Sequence, residues 1–258
     1  MSSLPVTQST DDLARLLTDA RARNVALDTL PSDLQPSNVE EAYDAQHATL
    51  RLMRAAIGGW KVGAKSPTGG PIQCAPLPAG DMHRVSATLP RDAYLKPGLE
   101  LEIAFVLGRR FDANSGHHSD EVVLDSIDTV HAAIEVVASR YRAWPDVDKL
   151  WQLADLLNHG ALIVGEGVRY ERDFPFVEPS MRFAFDGAGA FEGKPANPAG
   201  DPRRLLGWLV NHCVSRGLTL ERGTVLTCGS YTGMYFPEGT GIAKGTIDGL
   251  PPVQLTFS

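Results

Sequence analysis

Along the chain, apolar and polar positions change their period near residue 60. Before it, Leu13, Leu16, Leu17 and Ala20 recur at helical spacing behind Ser9 and Thr10, either of which can cap a first helix. A turn-rich stretch follows, with Pro31 and Pro36. A second helical stripe runs through Val39, Ala42, Tyr43, Leu50 and Met53, interrupted by Gln46. Ser37 with Glu40 three residues later reads as its capping box, and Gly58-Gly59 as its stop. After that the period moves toward two. Residues 60–63 predict a short strand, and 64–96, rich in Pro and Gly, a long loop with brief strands. The strongest strand is 99–107, alternating apolar and acidic in its first half and continuously apolar in its second. A short helix is expected over 119–129, a buried strand over 132–137, a helix over 148–158 and a strand over 161–164. Residues 181–185 and 190–192 predict a hairpin about 186–189. Asp201 caps a helix with Pro202 at its first position and Gly217 past its end. Strands at 224–228 and 253–257 complete a pattern that predicts an α+β fold, mainly β. A helical N-terminal region spans 1–59, and a mixed β core, one structural unit, spans 60–258.

Composition narrows the function classes. A chain of 258 residues, 43% hydrophobic and 21% charged, buries a core without staples. The net charge of -7, with no basic run longer than a pair such as Arg109-Arg110, argues against a nucleic-acid partner. Three widely spaced cysteines, Cys74, Cys213 and Cys228, form no CxxC and read neither as a disulfide framework nor as a zinc site. The first ten residues lack a signal-peptide pattern, and no apolar run approaches the roughly 18 residues of a membrane span. A reducing cytoplasm is the expected compartment.

The candidate chemistry is acidic. Residues two apart on a strand share a face, so Glu100 and Glu102 project together. For the pair alone, a wetted polar face is the simpler reading. Glu135 changes the picture, because it lies in the apolar run Ala-Ala-Ile-Glu-Val-Val, and a buried carboxylate requires a partner or a cation. A salt bridge to Arg140 is one reading. Convergence with the other two glutamates around a hard divalent ion, Mg2+ or Mn2+, is the other, and spacing alone does not decide between them. Lys61 reads as an exposed strand lysine or as a cation facing an anionic substrate. Ser66, Ser139, Ser230 and Thr232 fit substrate hydrogen bonding or ordinary turn roles. No histidine has a compelling partner; His131, four residues before Glu135, lies nearest in sequence.

Four segments resemble the fumarylacetoacetate hydrolase superfamily, in its 2-keto-4-pentenoate hydratase and 4-oxalocrotonate decarboxylase branch. They are Gly59-Trp60-Lys61-Val62-Gly63; 98–104 with its Glu-x-Glu; 134–141 with Glu135, Ser139 and Arg140; and Gly229-Ser230-Tyr231-Thr232-Gly233-Met234. The resemblance implies a mainly β catalytic core with Glu100, Glu102 and Glu135 as ligands of Mg2+ or Mn2+. It also implies Lys61 in the active site and a substrate-contacting loop at 229–233. The implied reaction is a lyase's, in aromatic compound catabolism: hydration of a 2-hydroxy-2,4-dienoate to a 4-hydroxy-2-oxo acid by a homo-oligomeric enzyme. Three alternatives share the scaffold: decarboxylation of a 4-oxalocrotonate-type diacid, hydrolysis of an acylpyruvate C–C bond, and a non-catalytic partner subunit. Two departures bear on the reaction. Gln73-Cys74-Ala75-Pro76 stands where the family carries Asp-Gln-Pro, and Leu156 follows Ala154-Asp155 where the family has asparagine.

Overall fold

The strand with the strongest sequence signal, β5 (Gly98–Leu107), lies fourth of seven in the larger sheet. That position explains why all but Glu100 and Val106 of its residues are buried, since both of its faces are covered. The structure, a computed structural model, describes residues 8–258. Around β5 the order is α1 (Gln8–Arg23), α2 (Val39–Met53), β1 (Ile57–Ala64), β2 (Ile72–Pro78), β3 (Met82–Arg84) and β4 (Ser86–Leu89) before it. After it come α3 (Asp120–Leu124), β6 (Ile127–Val137), α4 (Lys149–Ala154), β7 (His159–Arg169), β8 (Met181–Phe185), β9 (Ala188–Gly189), α5 (Arg204–Ser215), β10 (Val225–Thr227), β11 (Gly241–Ile247) and β12 (Leu250–Phe257). The larger sheet runs β2-β1-β10-β5-β6-β7-β3 and the smaller β4-β12-β11-β8-β9. β12 packs on β6 and β7, so the sheets stack face to face. Leu101, Ile103, Phe105, Ile134 and Val136 meet Val253 and Leu255 in the main core. The architecture is α+β.

Several boundaries differ from the sequence expectation. The cap of α2 is Asn38, whose side chain accepts from Glu41 N, and the Ser37 amide reaches Glu41 Oε2 at 2.8 Å. The capping box is therefore Asn38 with Glu41, one residue later than Ser37 with Glu40. The same helix ends at Met53 with Arg54 in the left-handed conformation, not at Gly58-Gly59. Those glycines are strand residues: a Cβ on Gly59 would come within 2.6 Å of Val225 O, so close strand packing excludes a side chain there. Ser9 and Thr10 lie inside α1, which begins at Gln8. The expected helix over 119–129 is one turn capped by Ser119, after which β6 starts five residues earlier in the chain than its apolar core had indicated. The glycine-rich stretch 241–249 forms β11 and the turn into β12. Among the described residues, no helix is long and apolar enough to cross a membrane.

Candidate metal centre and active site

β5 and β6 pair antiparallel with Glu100 directly opposite Glu135, and Glu102 opposite Ala133. Alternation then puts all three carboxylates on the face of the larger sheet turned away from the smaller one. On that face Ala104, Ala133, Leu162, Val164 and Val225 form a second, small apolar cluster. One carboxylate oxygen from each glutamate lies within 4.8 Å of the others. Like charges opposed across a ladder repel, and burial sharpens the repulsion. Glu102 and Glu135 are each 1% exposed, and the Oε2 atom of each has no hydrogen-bond partner. Two buried, unpartnered carboxylate oxygens beside a third carboxylate are a donor set suited to a hard cation.

Lys61 reaches this cluster from two strands away. β1 runs parallel to β10 with Lys61 opposite Thr227, and Thr227 stands opposite Ala104 of β5. The Lys61 ammonium donates to Glu135 Oε1 at 2.6 Å and to the Leu157 carbonyl at 3.3 Å. His159, fully buried, places Nδ1 2.9 Å from the same Oε1. Burial pushes Glu135 up, but Lys61 and His159 outweigh it and hold that carboxyl below its usual range. Burial pushes Lys61 down, yet Glu135, Glu100 and Glu102 together raise it, so it stays an ammonium at neutral pH. Burial and then Glu135 push Glu100 up to about 7, against the pull of Lys61. Glu102 is held well above the carboxylate range by burial, Glu135 and Glu100. Burial keeps His159 neutral against the pull of Glu135. The ring therefore donates from Nδ1 and leaves Nε2 without a partner.

The backbone around Leu157 is strained. Leu156, Leu157 and Asn158 take positive φ values of 51, 50 and 60° in succession. For residues with a Cβ this conformation costs roughly 1–2 kcal/mol each. It aims the Leu157 carbonyl at Lys61. Asp155 and Arg140 brace the turn from below. Arg140 Nε donates to Asp155 Oδ1 at 2.5 Å, its amide donates to Oδ2 at 3.0 Å, and both side chains are buried. Arg140 is thus the partner of Asp155 and not of Glu135. Asp155→Ala would leave the guanidinium buried and uncompensated, and we expect a loss of about 3–5 kcal/mol in chemical denaturation.

A cavity of about 420 Å³ opens over Glu100, with Gly63, Lys65, Gln73, Leu157 and Ser230 in its walls. No family model matches the chain. The chain is 31% identical over 170 residues to a 2-keto-4-pentenoate hydratase of Burkholderia vietnamiensis, an alignment spanning 66% of this chain and 64% of that protein. It is 27% identical over 258 residues to a second protein of that name, from Paraburkholderia phymatum, spanning 96% of this chain and 97% of the relative. Among solved structures, a 4-oxalocrotonate decarboxylase from Pseudomonas putida G7, complexed with magnesium and adipate, superposes with a TM-score of 0.85 at 20% identity over 100% of both chains. Its sequence relatives carry hydratase and decarboxylase names, and its fold is shared with solved structures of the fumarylacetoacetate hydrolase family.

The other residues singled out from the sequence fall in different places. Ser230 lines the cavity and donates to the Gly233 carbonyl at 2.9 Å. Thr232 accepts from the Leu101 amide at 3.3 Å and so ties the 229–233 loop to β5. The Ser66 hydroxyl closes its own turn, donating to Thr68 O at 2.7 Å. Ser139 is buried, accepts from the Tyr141 amide, and lines a separate crevice beside Arg21 and Tyr94. Of the four hydroxyl residues, only Ser230 is in the cavity wall. His131 turns away from Glu135 to Gly165 O (2.9 Å) and Thr129 Oγ1 (2.8 Å). His159 is the histidine that sequence reasoning missed. Nothing local marks it; the β6–β7 register, with His159 opposite Val137, brings its ring to Glu135. At the Gln73-Cys74-Ala75-Pro76 departure, Gln73 faces the cavity and no carboxylate replaces the family's aspartate, while Asp81 pairs with Arg21 at 3.0 Å, away from the site.

Proposed function

We propose that the chain is a divalent-metal-dependent hydratase, adding water to a 2-hydroxy-2,4-dienoate to give a 4-hydroxy-2-oxo acid. One observation carries this reading: Glu100, Glu102 and Glu135 converge with two buried, unpartnered oxygens beneath a cavity that admits a small molecule. A hydratase name on a relative aligned over nearly its whole length supports the same reaction. Glu100, Glu102 and Glu135 would hold Mg2+ or Mn2+. Bound there, the ion supplies a Lewis acid for the carboxylate and keto oxygens of a 2-oxo acid. Lys61 has three N–H groups, of which Glu135 and Leu157 take two, and the third is free for the substrate. Its raised pKa keeps it an ammonium, which can pair with the substrate carboxylate and carry a proton to be donated, and does not make it a base. Glu135 and the strained 156–158 turn fix the direction of that proton.

Decarboxylation of a 4-oxalocrotonate-type diacid is the second reading. The observation in its favour is the cavity wall itself: Glu100 is the single carboxylate residue in it, and decarboxylation needs no second one to activate water. Assembly as a homo-oligomer in a reducing cytoplasm belongs to the same proposal. The three cysteines, all free and buried, accord with that compartment.

The test is steady-state turnover of 2-hydroxypenta-2,4-dienoate with Mg2+. EDTA is expected to abolish it and added Mg2+ to restore it. No turnover, with carbon dioxide released from 4-oxalocrotonate instead, would reverse the order of the two readings. A thermal prediction accompanies it. Glu100 keeps its proton in the folded chain between the ordinary 4.5 and about 7, whereas the unfolded chain releases it there. That stabilisation is present at low pH and is lost as pH rises through the window. Cation binding displaces the same proton, so Mg2+ affinity rises with pH. The gain in Tm on adding Mg2+ is expected to be larger at pH 8 than at pH 6, read by differential scanning fluorimetry; an equal gain at both values contradicts the ligand set.

A further inference from the structure

His159 reaches Glu135 from the first residue of β7, and its own backbone is held from behind. Two guanidinium groups converge on its carbonyl: Arg21 donates to it at 2.5 Å and Arg140 at 3.0 Å. Arg140 lies five residues after Glu135, and its other donors go to the carboxylate and the carbonyl of Asp155. Arg21 comes from a distant part of the chain, the last turn of α1. Its other terminal nitrogen donates to Asp81 at 3.0 Å. Gly160, the next residue of β7, lies against the Tyr94 ring: a Cβ there would come within 3.2 Å of the ring and 2.7 Å of the Val136 carbonyl. The start of β7 is thus fixed by two charged groups and an aromatic ring.

That anchoring reaches the acidic cluster through one carboxylate. Glu135 Oε1 accepts from both Lys61 (2.6 Å) and His159 (2.9 Å), and Oε2 is left without a partner. Two donors on one oxygen set the plane of the carboxylate, and with it the oxygen that is presented to a cation. An imidazole free to shift would let that plane follow it. Holding two guanidinium groups at one carbonyl is unfavourable in itself: burial, and then the neighbouring Arg140, push Arg21 down to about 10 against the pull of Asp81. An ion pair with Asp81 uses one edge of the guanidinium and requires no second arginine. The planar fork of Arg21 spans both acceptors at once, which a single-headed ammonium does less well. We infer that Arg21 is a positioning residue for the metal centre, acting through the His159 backbone to hold the Glu135 carboxylate in its ligating orientation. The last turn of α1 is then a working part of the site. This inference rests on the metal site proposed above.

The experiment separates the two ends of the Arg21 fork. Arg21→Met removes both bonds, and Asp81→Asn removes the ion pair alone. Each is compared with the wild type by calorimetric Mg2+ titration and by NMR of the metal-free chain labelled with 15N-histidine, with His159→Gln identifying the His159 signal. Unfolding in EDTA checks that each variant is folded under the titration conditions. Arg21→Met is expected to weaken Mg2+ binding about tenfold, the lower end of the range for a group that orients a ligand. It should also broaden the His159 Nδ1–H resonance or move it upfield, as the bond to Glu135 loosens. Asp81→Asn should leave both the affinity and the resonance at wild-type values, whatever it does to stability. An Arg21→Met chain with wild-type Mg2+ affinity, or with an unmoved His159 resonance, overturns the inference. So does an Asp81→Asn chain that loses affinity by the same factor, because the ion pair then accounts for the whole effect. Should Arg21→Met fail to fold, Arg21→Lys, which keeps a charge for Asp81 without the fork, takes the same readings. A wild type that binds Mg2+ but shows no hydrogen-bonded His159 Nδ1–H removes this inference alone. A wild type that shows the resonance but binds no Mg2+ removes the metal site, and this inference with it.

Discussion

Replacing Glu102 by glutamine is expected to separate activity from stability completely. Glu102 is 1% exposed, one of its oxygens has no partner, and burial with two neighbouring carboxylates holds its proton on well above the usual range. The protonated form that this environment favours is a neutral carboxylic acid, which an amide imitates in shape and charge. The cation-free variant should unfold at the same temperature as the wild type or higher. A cation, by contrast, requires the anionic form, and an amide offers only a weak carbonyl donor. Loss of a residue that merely supports a ligand costs 10–100-fold, so loss of a ligand should cost at least about 100-fold in Mg2+ affinity and in kcat/KM. Calorimetric Mg2+ titration, turnover and the Tm in EDTA are the three readouts. An E102Q chain that binds Mg2+ like the wild type would remove Glu102 from the site.

The second large effect concerns Lys61, where the same measurements should move in a different combination. Lys61→Met removes the ammonium that holds Glu135 below its usual range. Glu135 is then left buried with His159 as its remaining hydrogen-bond partner. Breaking a buried ion pair costs about 3–5 kcal/mol, and the EDTA-treated variant should lose that much in denaturant unfolding. Mg2+ should recover part of the loss, because removing a fixed positive charge makes the carboxylate cluster a better cation site. Turnover should nevertheless fall by about 10²–10⁴, the range for a lost proton donor. Glu102→Gln is thus a stable chain that does not bind the ion, and Lys61→Met a weakened chain that binds it without turnover. Were Lys61→Met to retain wild-type kcat once Mg2+ is added, Lys61 would be a structural counter-charge and nothing more.

The legibility of the site in the sequence follows from what local physics controls. Glu100 and Glu102 share a face because strand alternation is local, and β5 could be read from its own residues. Glu135 stood out as one acid in an apolar run. Its partner could not be named from sequence, because Arg140 and Lys61 are both plausible cations and only the fold separates them: Arg140 is turned to Asp155 and Lys61 to Glu135. His159 carried no local signal, since its function depends on a strand register. Among the hydroxyls, Ser139 belongs to a matching segment yet points to a different crevice, because a shared motif can hold a backbone turn as readily as a ligand. Errors at element ends have a similar origin. Gly58-Gly59 has the composition of a helix stop, but the pressure for glycine there is the close approach of Val225 and Met82, which only the packed sheet applies.

The residues alone determined that the chain has two N-terminal helices, an α+β body and an apolar strand with two acids on one side, because periodicity and burial cost act over a few neighbouring positions. The tertiary structure decided that Glu135 stands directly across from Glu100, that Lys61 arrives from two strands away, and that Lys65 and Gln73 overlook the same space. Those relations come from strand order and register, which are settled by how two whole sheets bury their faces against each other.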